Sequence, residues 1–315
     1  MEISQKEAIA CLRALVALAR VDGTVSGEER AALESALDGL PASGDLKRFL
    51  DESPAFDETL AEITSPAARE QLWQSACGLV HADGTATAEE KKLLDRMRAA
   101  FDIDDRKASA TQRLIEETRD TILPSNIEAV SDPAAREKEI DKDVLKYSVL
   151  SAVLGAFPVP GLAIATDLAI VALQVKLVRD VGQYWGHTVD KQAAKTLLGG
   201  LGLGTGARIA VSNLAKLVPV WGSAFGAASA FATTWALGKI ANRYFESGQK
   251  ADVKDLKKEL KTMQAAGKEE YARQQETIEA RRKASEGKLA ALNAERKAGT
   301  LSQAEYEKEV AALAG

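Results

Sequence analysis

The sequence predicts an all-α protein built of two helical domains and a charged helical tail. Three observations predict it. Apolar residues recur at i, i+3, i+4 and i+7 from the N-terminus onward, the spacing of one helix face. Long runs of alternating β-branched residues, the signature of strands, are absent. The chain is 46% hydrophobic but only 5% aromatic, so its apolar content is mostly Ala, Leu, Val and Ile. With 315 residues, 28% of them charged, it has room for about two domains and enough apolar side chains to exclude global disorder.

Charge divides the chain into three zones. Residues 1–143 carry 18 basic and 30 acidic side chains, residues 144–246 carry 9 and 4, and residues 247–315 carry 14 and 12. The overall net charge of −5 therefore averages an acidic head, a basic middle and a near-neutral tail. The middle also holds 12 of the 23 glycines and 10 of the 16 aromatic residues. Such shifts mark domain boundaries, and they place an acidic helical domain at 1–125, a linker at 126–144, a Gly/Ala-rich helical-hairpin domain at 145–247 and the tail at 248–315. The negative balance gives no case for nucleic-acid binding. Two cysteines and two histidines are too few for a Cys/His zinc module or a disulfide framework. Met1-Glu2 opens no basic region followed by an apolar run, which predicts a cytoplasmic location.

In the head, Leu12, Leu15, Val16 and Ala19 form a helical stripe, followed by Leu33, Leu37 and Leu40. Between them lies Val21-Asp22-Gly23-Thr24-Val25-Ser26-Gly27-Glu28-Glu29, which recurs 61 residues later as Ala82-Asp83-Gly84-Thr85-Ala86-Thr87-Ala88-Glu89-Glu90. The second copy separates Leu72, Trp73, Leu79 and Val80 from Leu93, Leu94, Met97 and Phe101. Each Asp-Gly ends a helix, because Gly accepts the positive φ of a C-terminal cap. Ser26-x-x-Glu29 and Thr87-x-x-Glu90 are capping boxes that start the next helix. Ser65-Pro66 starts another, with Pro suited to the first turn.

These motifs resemble the TerB family of tellurite-resistance proteins, whose fold also occurs in DjlA-type co-chaperones. The resemblance covers roughly residues 5–125 and implies a helical bundle with pseudo-twofold symmetry. It also implies an acidic cluster that binds divalent metal. Independently, Asp22-Gly23 with Glu29, and Asp83-Gly84 with Glu90, match the second half of an EF-hand loop. Leu18, Arg20, Leu79 and His81 stand where its first carboxylates belong. Calcium takes six to eight oxygens, so neither loop suffices alone. Either Asp22, Glu29, Asp83 and Glu90 are pooled for a shared Ca²⁺ or Mg²⁺ ion, or each merely caps a turn or helix. An acidic face also suits a basic protein partner. Cys11 and Cys77 lie in apolar helical patterns and read as buried core residues rather than tellurite-reactive thiols. His81 has Arg20 as its counterpart in the first copy and reads as a surface residue.

Asp132-Pro133 starts the helix that enters the middle domain. Tyr147 to Thr166 and Leu217 to Gly238 are free of charge and long enough to cross a bilayer. Pro158, Pro160 and Gly161 interrupt the first run, and Pro219 with many small residues weakens the second. Phe157-Pro158-Val159-Pro160-Gly161 is matched by Val218-Pro219-Val220-Trp221-Gly222, again 61 residues on. Each is a tight turn between helices. Each is followed by an aromatic pair, Tyr184-Trp185 and Tyr244-Phe245. Gly222, Gly226 and Ala230 allow close helix approach. The Gly-rich run from Gly199 to Gly206 lacks the Gly-Lys-Ser/Thr of a phosphate loop and the third glycine of a dinucleotide fingerprint.

This middle region resembles the domain of unknown function typified by YcjF, also found behind Era-like GTPase domains. The resemblance rests on Pro-Val-Pro-Gly, on Gly206-Ala207-Arg208 and on Val218-Pro219-Val220-Trp221-Gly222 with Tyr244-Phe245. It implies membrane association and a separate GTPase as partner. The positive charge and aromatic pairs suit an anionic lipid surface at the inner face of the cell membrane, through a hairpin dipping into one leaflet. The other reading is a soluble bundle with a small-residue core.

The tail is rich in helix formers and reads as a solvated helix or weak coiled coil, with breaks at Gly267 and Gly287. A short hairpin at 289–313, with the capping box Ser302-x-x-Glu305, resembles the SHOCT motif and is too small to stand alone. It is expected to pack on another copy or another domain, which predicts a homo-oligomer. No nucleophile–base pair, metal triad or phosphate loop is visible. The sequence thus predicts a non-enzymatic, membrane-associated adaptor or assembly protein, acting in tellurite or envelope-stress response. The alternative is a soluble oligomeric helical scaffold or partner of a separate GTPase.

Overall fold

The computed structural model describes residues 4–21, 55–80, 87–120, 122–156, 163–203 and 223–314. These residues form helices and no strands. Twelve helices run in order among them: α1 (Gln5–Ala19), α2 (Phe56–Ala61), α3 (Pro66–Val80), α4 (Ala88–Phe101), α5 (Asp105–Asp120), α6 (Pro133–Gly155), α7 (Ala163–Tyr184), α8 (Lys191–Gly200), α9 (Ser223–Glu246), α10 (Val253–Arg273), α11 (Gln275–Ala298) and α12 (Gln303–Ala312). The chain divides into two compact units. One comprises Met1–Arg119, Pro158–Asp167 and Gly204–Gly226; the other comprises Asp120–Phe157, Leu168–Leu203 and Ala227–Gly315.

In the first unit α1 packs on α2 and α3, and α4 packs on α2 and α3. The stripe read from the sequence is buried as one core: Leu12, Leu15 and Val16 of α1, Leu72 and Trp73 of α3, and Leu93, Leu94, Met97 and Phe101 of α4. The helix starts are made by the expected residues. Ser65 Oγ accepts from Ala68 N at 3.3 Å before α3. At α4, Thr87 Oγ1 accepts from Glu90 N at 3.2 Å while Glu90 Oε2 accepts from Thr87 N at 2.8 Å, a closed capping box. A carboxylate from elsewhere completes the start of α3. Glu7 of α1 accepts from Thr64 N at 2.8 Å and Ser65 N at 2.6 Å, where the helix's first amides carry partial positive charge. Ser26 and Glu29, expected to form the other box, lie outside the described residues.

In the second unit Asp132 caps α6 by accepting from Ala135 N at 2.7 Å, with Pro133 in the first turn. The core draws on α6 to α12: Val144, Leu150 and Val153, Leu173 and Leu177, Leu197, Phe231 and Leu237, Leu256 and Leu260, Ile278 and Leu289, and Val310. The tail therefore departs from the solvated helix expected. Its apolar stripe is sparse but buried, and α11 lies against α6. Gly267 and Gly287 sit inside α10 and α11, and the break between these helices falls at Gln274 instead. Gly267 has a packing reason: a Cβ there would stand 2.9 Å from both Cα and O of Ala232, so α10 approaches the α9 backbone more closely than any side chain permits.

The terminal hairpin is present and packs within its own unit. Gly299, at φ 76°, ends α11, and Thr300 N returns to Glu295 O at 3.0 Å. Ser302 and Glu305 close their capping box. Tyr306 Oη donates to Asn293 Oδ1 at 3.0 Å in the interior. Among the described residues no helix is long and apolar enough to cross a membrane.

Candidate functional site

Of the four acidic residues predicted to share a cation, Glu90 is described, at the first turn of α4 with one carboxylate oxygen committed to the Thr87 amide. Asp22, Glu29 and Asp83 lie outside the described residues, as does His81. Among the described residues no group of three or more His, Cys, Asp and Glu is arranged to hold a metal ion. Cys11 in α1 and Cys77 in α3 are both buried. Burial pushes the Cys77 thiol up to about 12, and burial together with the nearby Glu7 carboxylate raises Cys11 as well. Neither supplies a thiolate at neutral pH.

The hairpin turn residues Pro158, Pro160, Gly161, Pro219, Trp221 and Gly222 lie outside the described residues. The aromatic pairs that follow the turns are described, and the structure brings them together at the C-terminal ends of α7 and α9. Phe245 is buried against Gly182, with the His187 ring stacked on it at 5.7 Å between centroids. Tyr244 and Phe245 meet edge to face at 5.3 Å. Trp185 Nε1 donates to Asn242 Oδ1 at 2.8 Å, and the Arg136 guanidinium lies 3.6 Å over the Trp185 ring. Tyr184 is buried and donates to Asp143 Oδ2 at 3.0 Å.

That last bond leads into a polar cluster between α6 and α7. On α6, Asp143 and Tyr147 are four residues apart; on α7, Lys176, Asp180 and Tyr184 are likewise spaced by four. An i, i+4 spacing stacks side chains on one face, so both helices present their polar groups to one another. Asp180 is 1% exposed. Lys176 Nζ reaches its two oxygens at 2.8 and 3.0 Å, Tyr147 Oη donates at 3.1 Å, and the Ser125 hydroxyl donates as well. A buried charge this well partnered avoids the cost of an isolated one. Burial raises Asp143, Tyr147 and Tyr184 above their ordinary values, and for the tyrosines the neighbouring carboxylates add to the effect.

The same face of α7 holds the segment 122–131, which has no regular structure of its own. Arg179 donates to Leu123 O at 2.7 Å. Gln183 donates to Ser125 O at 3.1 Å and accepts from Ile127 N at 2.8 Å. Val130 N donates to Tyr184 O at 3.1 Å, and Arg136 donates to Val130 O at 2.8 Å. A second buried chain runs from Gln174 Nε2 to Thr234 Oγ1 and on to Ser151 Oγ, each step 3.1 Å, and joins α7, α9 and α6. These groups bond to one another and to backbone, an arrangement that fixes helix register and straps the segment down. The sequence signal that could have found them is the repeated four-residue spacing of polar side chains inside otherwise apolar helices.

Compared with known proteins, residues 6–113 match the family described as tellurite resistance protein TerB. An uncharacterized protein of Synechocystis sp. is 26% identical over 133 residues, covering 40% of this chain and 86% of that protein. No solved structure matches the chain. The family match covers α1 to α4, whose side chains build the core of the first unit.

Proposed function

We propose that this chain is a non-enzymatic, membrane-associated adaptor or assembly protein acting in a tellurite or envelope-stress response, with a head that responds to a divalent cation. The observation that carries the reading is the match of residues 6–113 to the TerB family. The second unit supports an architectural role: its buried polar side chains bond to one another and to the backbone of residues 122–131. The basic charge of residues 144–246 supports contact with an anionic membrane surface.

The membrane part is tested by cell fractionation, with the full chain expected in the membrane fraction. Recovery wholly in the soluble fraction would replace the reading with that of a soluble scaffold. For the head, the ligands are Asp22, Glu29, Asp83 and Glu90, whose carboxylates suit hard cations such as Ca²⁺ or Mg²⁺. Titration of Ca²⁺ into the full chain by calorimetry should give a saturable heat that Asp22→Ala/Asp83→Ala abolishes. Equal heats in both proteins, or none in the wild type, remove the cation from the account.

A further inference from the structure

Helix α10 carries its charges unevenly. Lys254, Lys257, Lys258, Lys261 and Lys268 fall within an arc of about 100° when projected at 3.6 residues per turn. Asp255, Glu259, Glu269 and Glu270 of the same helix all fall outside that arc. Leu256, Leu260 and Gly267, which enter the core, occupy the far side. The register follows from packing: with Gly267 pressed on Ala232 and Leu256 and Leu260 buried, the lysine side must face outward. Lys254, Lys258, Lys261 and Lys268 are exposed, while Lys257 is half-buried beside Gly202 at the end of α8. Only Lys258 has an acidic partner among the described residues, Asp255 at 3.0 Å, with both side chains open to solvent. From Lys254 to Lys268 the stripe is about 21 Å long at 1.5 Å per residue.

Helix α11 shows the ordinary alternative. Its basic residues are interspersed with acids, and three of them are paired: Arg282 and Lys283 with Glu279, and Lys288 with Glu309 of α12. Mixed, paired charge makes a solvated face; five lysines of one sign make a field.

The geometry points to the lysine stripe of α10 as the surface by which this protein docks on an anionic phospholipid bilayer. The inference rests on the membrane reading above and names the part of the chain that makes the contact. The composition of the stripe selects the partner. Protein interfaces are anchored by aromatic and Arg side chains and are depleted in Lys, and the lysine arc has neither anchor. Single-stranded nucleic acid needs aromatic platforms for its bases, and the arc offers none. A bilayer is a laterally continuous array of phosphates with no stereochemistry to match. Flexible point charges on a straight helix suit it, each worth about fivefold in affinity near an anionic leaflet.

The test uses the full chain and sedimentation with vesicles of phosphatidylcholine, with and without 30 mol% phosphatidylglycerol (on the order of a natural anionic leaflet). The wild type should bind the anionic vesicles and release from them as salt rises, because screening shortens the reach of each lysine. Lys254→Gln/Lys258→Gln/Lys261→Gln/Lys268→Gln should bind about 600-fold more weakly, about fivefold for each of the four charges. Lys283→Gln/Lys288→Gln on α11 should bind like the wild type. All of these side chains are exposed, and unchanged circular dichroism confirms that the variants fold. If wild type and quadruple variant bind equally well, the stripe is overturned while the membrane reading stands. Failure of the wild type to bind either vesicle overturns both. Binding to duplex DNA that the quadruple variant loses, without binding to anionic vesicles, would assign the stripe to nucleic acid and overturn the inference.

Discussion

Glu7 shows how one residue can be read two ways. In sequence it is an ordinary acid in the first turn of α1. In the fold it is buried and caps another helix, accepting from the amides of Thr64 and Ser65. Burial alone would push its carboxyl up, but these hydrogen bonds outweigh burial and hold it below its ordinary 4.5. A lowered acid stabilises the fold fully above its unfolded value and loses that contribution as pH falls through the folded one. Glu7→Ala should therefore cost about 1–3 kcal/mol at pH 7. The gap between variant and wild type in urea melts should narrow toward pH 3. A gap that is the same at both pH values would mean the carboxylate charge plays no part. Asp143 has the opposite sign: burial raises it, so its ionisation opposes folding as pH climbs through its folded value.

Among the helices, local signals and long-range packing were unequally legible. Capping boxes at Thr87 and Ser302, and the Asp132-Pro133 start, were readable because each is a contact across three residues. The glycines of α10 and α11 were not, because sequence cannot say what stands opposite a helical glycine. They provide a matched pair for experiment. Gly267→Ala places a methyl against the backbone of Ala232, which cannot yield as a flexible side chain would, and should destabilise by about 1–3 kcal/mol. Gly287→Ala meets nothing within 4 Å and should stabilise by about 0.5–1 kcal/mol. Thermal melts of the two variants should move in opposite directions. A shift in the same direction would show that helix propensity, not the approach to α9, governs both sites. The α6–α7 polar cluster was hidden for the same reason: Tyr147 and Asp180 are 33 residues apart, and their spacing within each helix signals a face without naming its partner.

At the scale of the whole molecule, the all-α class was fully legible, because it needs only periodicity and composition. The doubled Asp-Gly motif led to the family that the comparison finds at residues 6–113. The fate of the tail was not legible. Leu256, Leu260, Ile278, Leu289 and Leu292 are too widely spaced to predict a core, yet α6 and α9 supply the apolar surface that completes it. Folding the tail back turns the lysines of α10 into a fixed outward face rather than charges on a free helix. Among the described residues no helix is long and apolar enough to cross a membrane; the proposed membrane contact is the one made by the lysine face of α10. Fractionation of cells producing the full chain tests this most directly, with membranes washed first in low salt, then in high salt, then in detergent. A protein held on the membrane by its lysine face sediments with membranes in low salt and is released, in whole or large part, by high salt. Recovery of the protein entirely in the soluble fraction at low salt would contradict that contact.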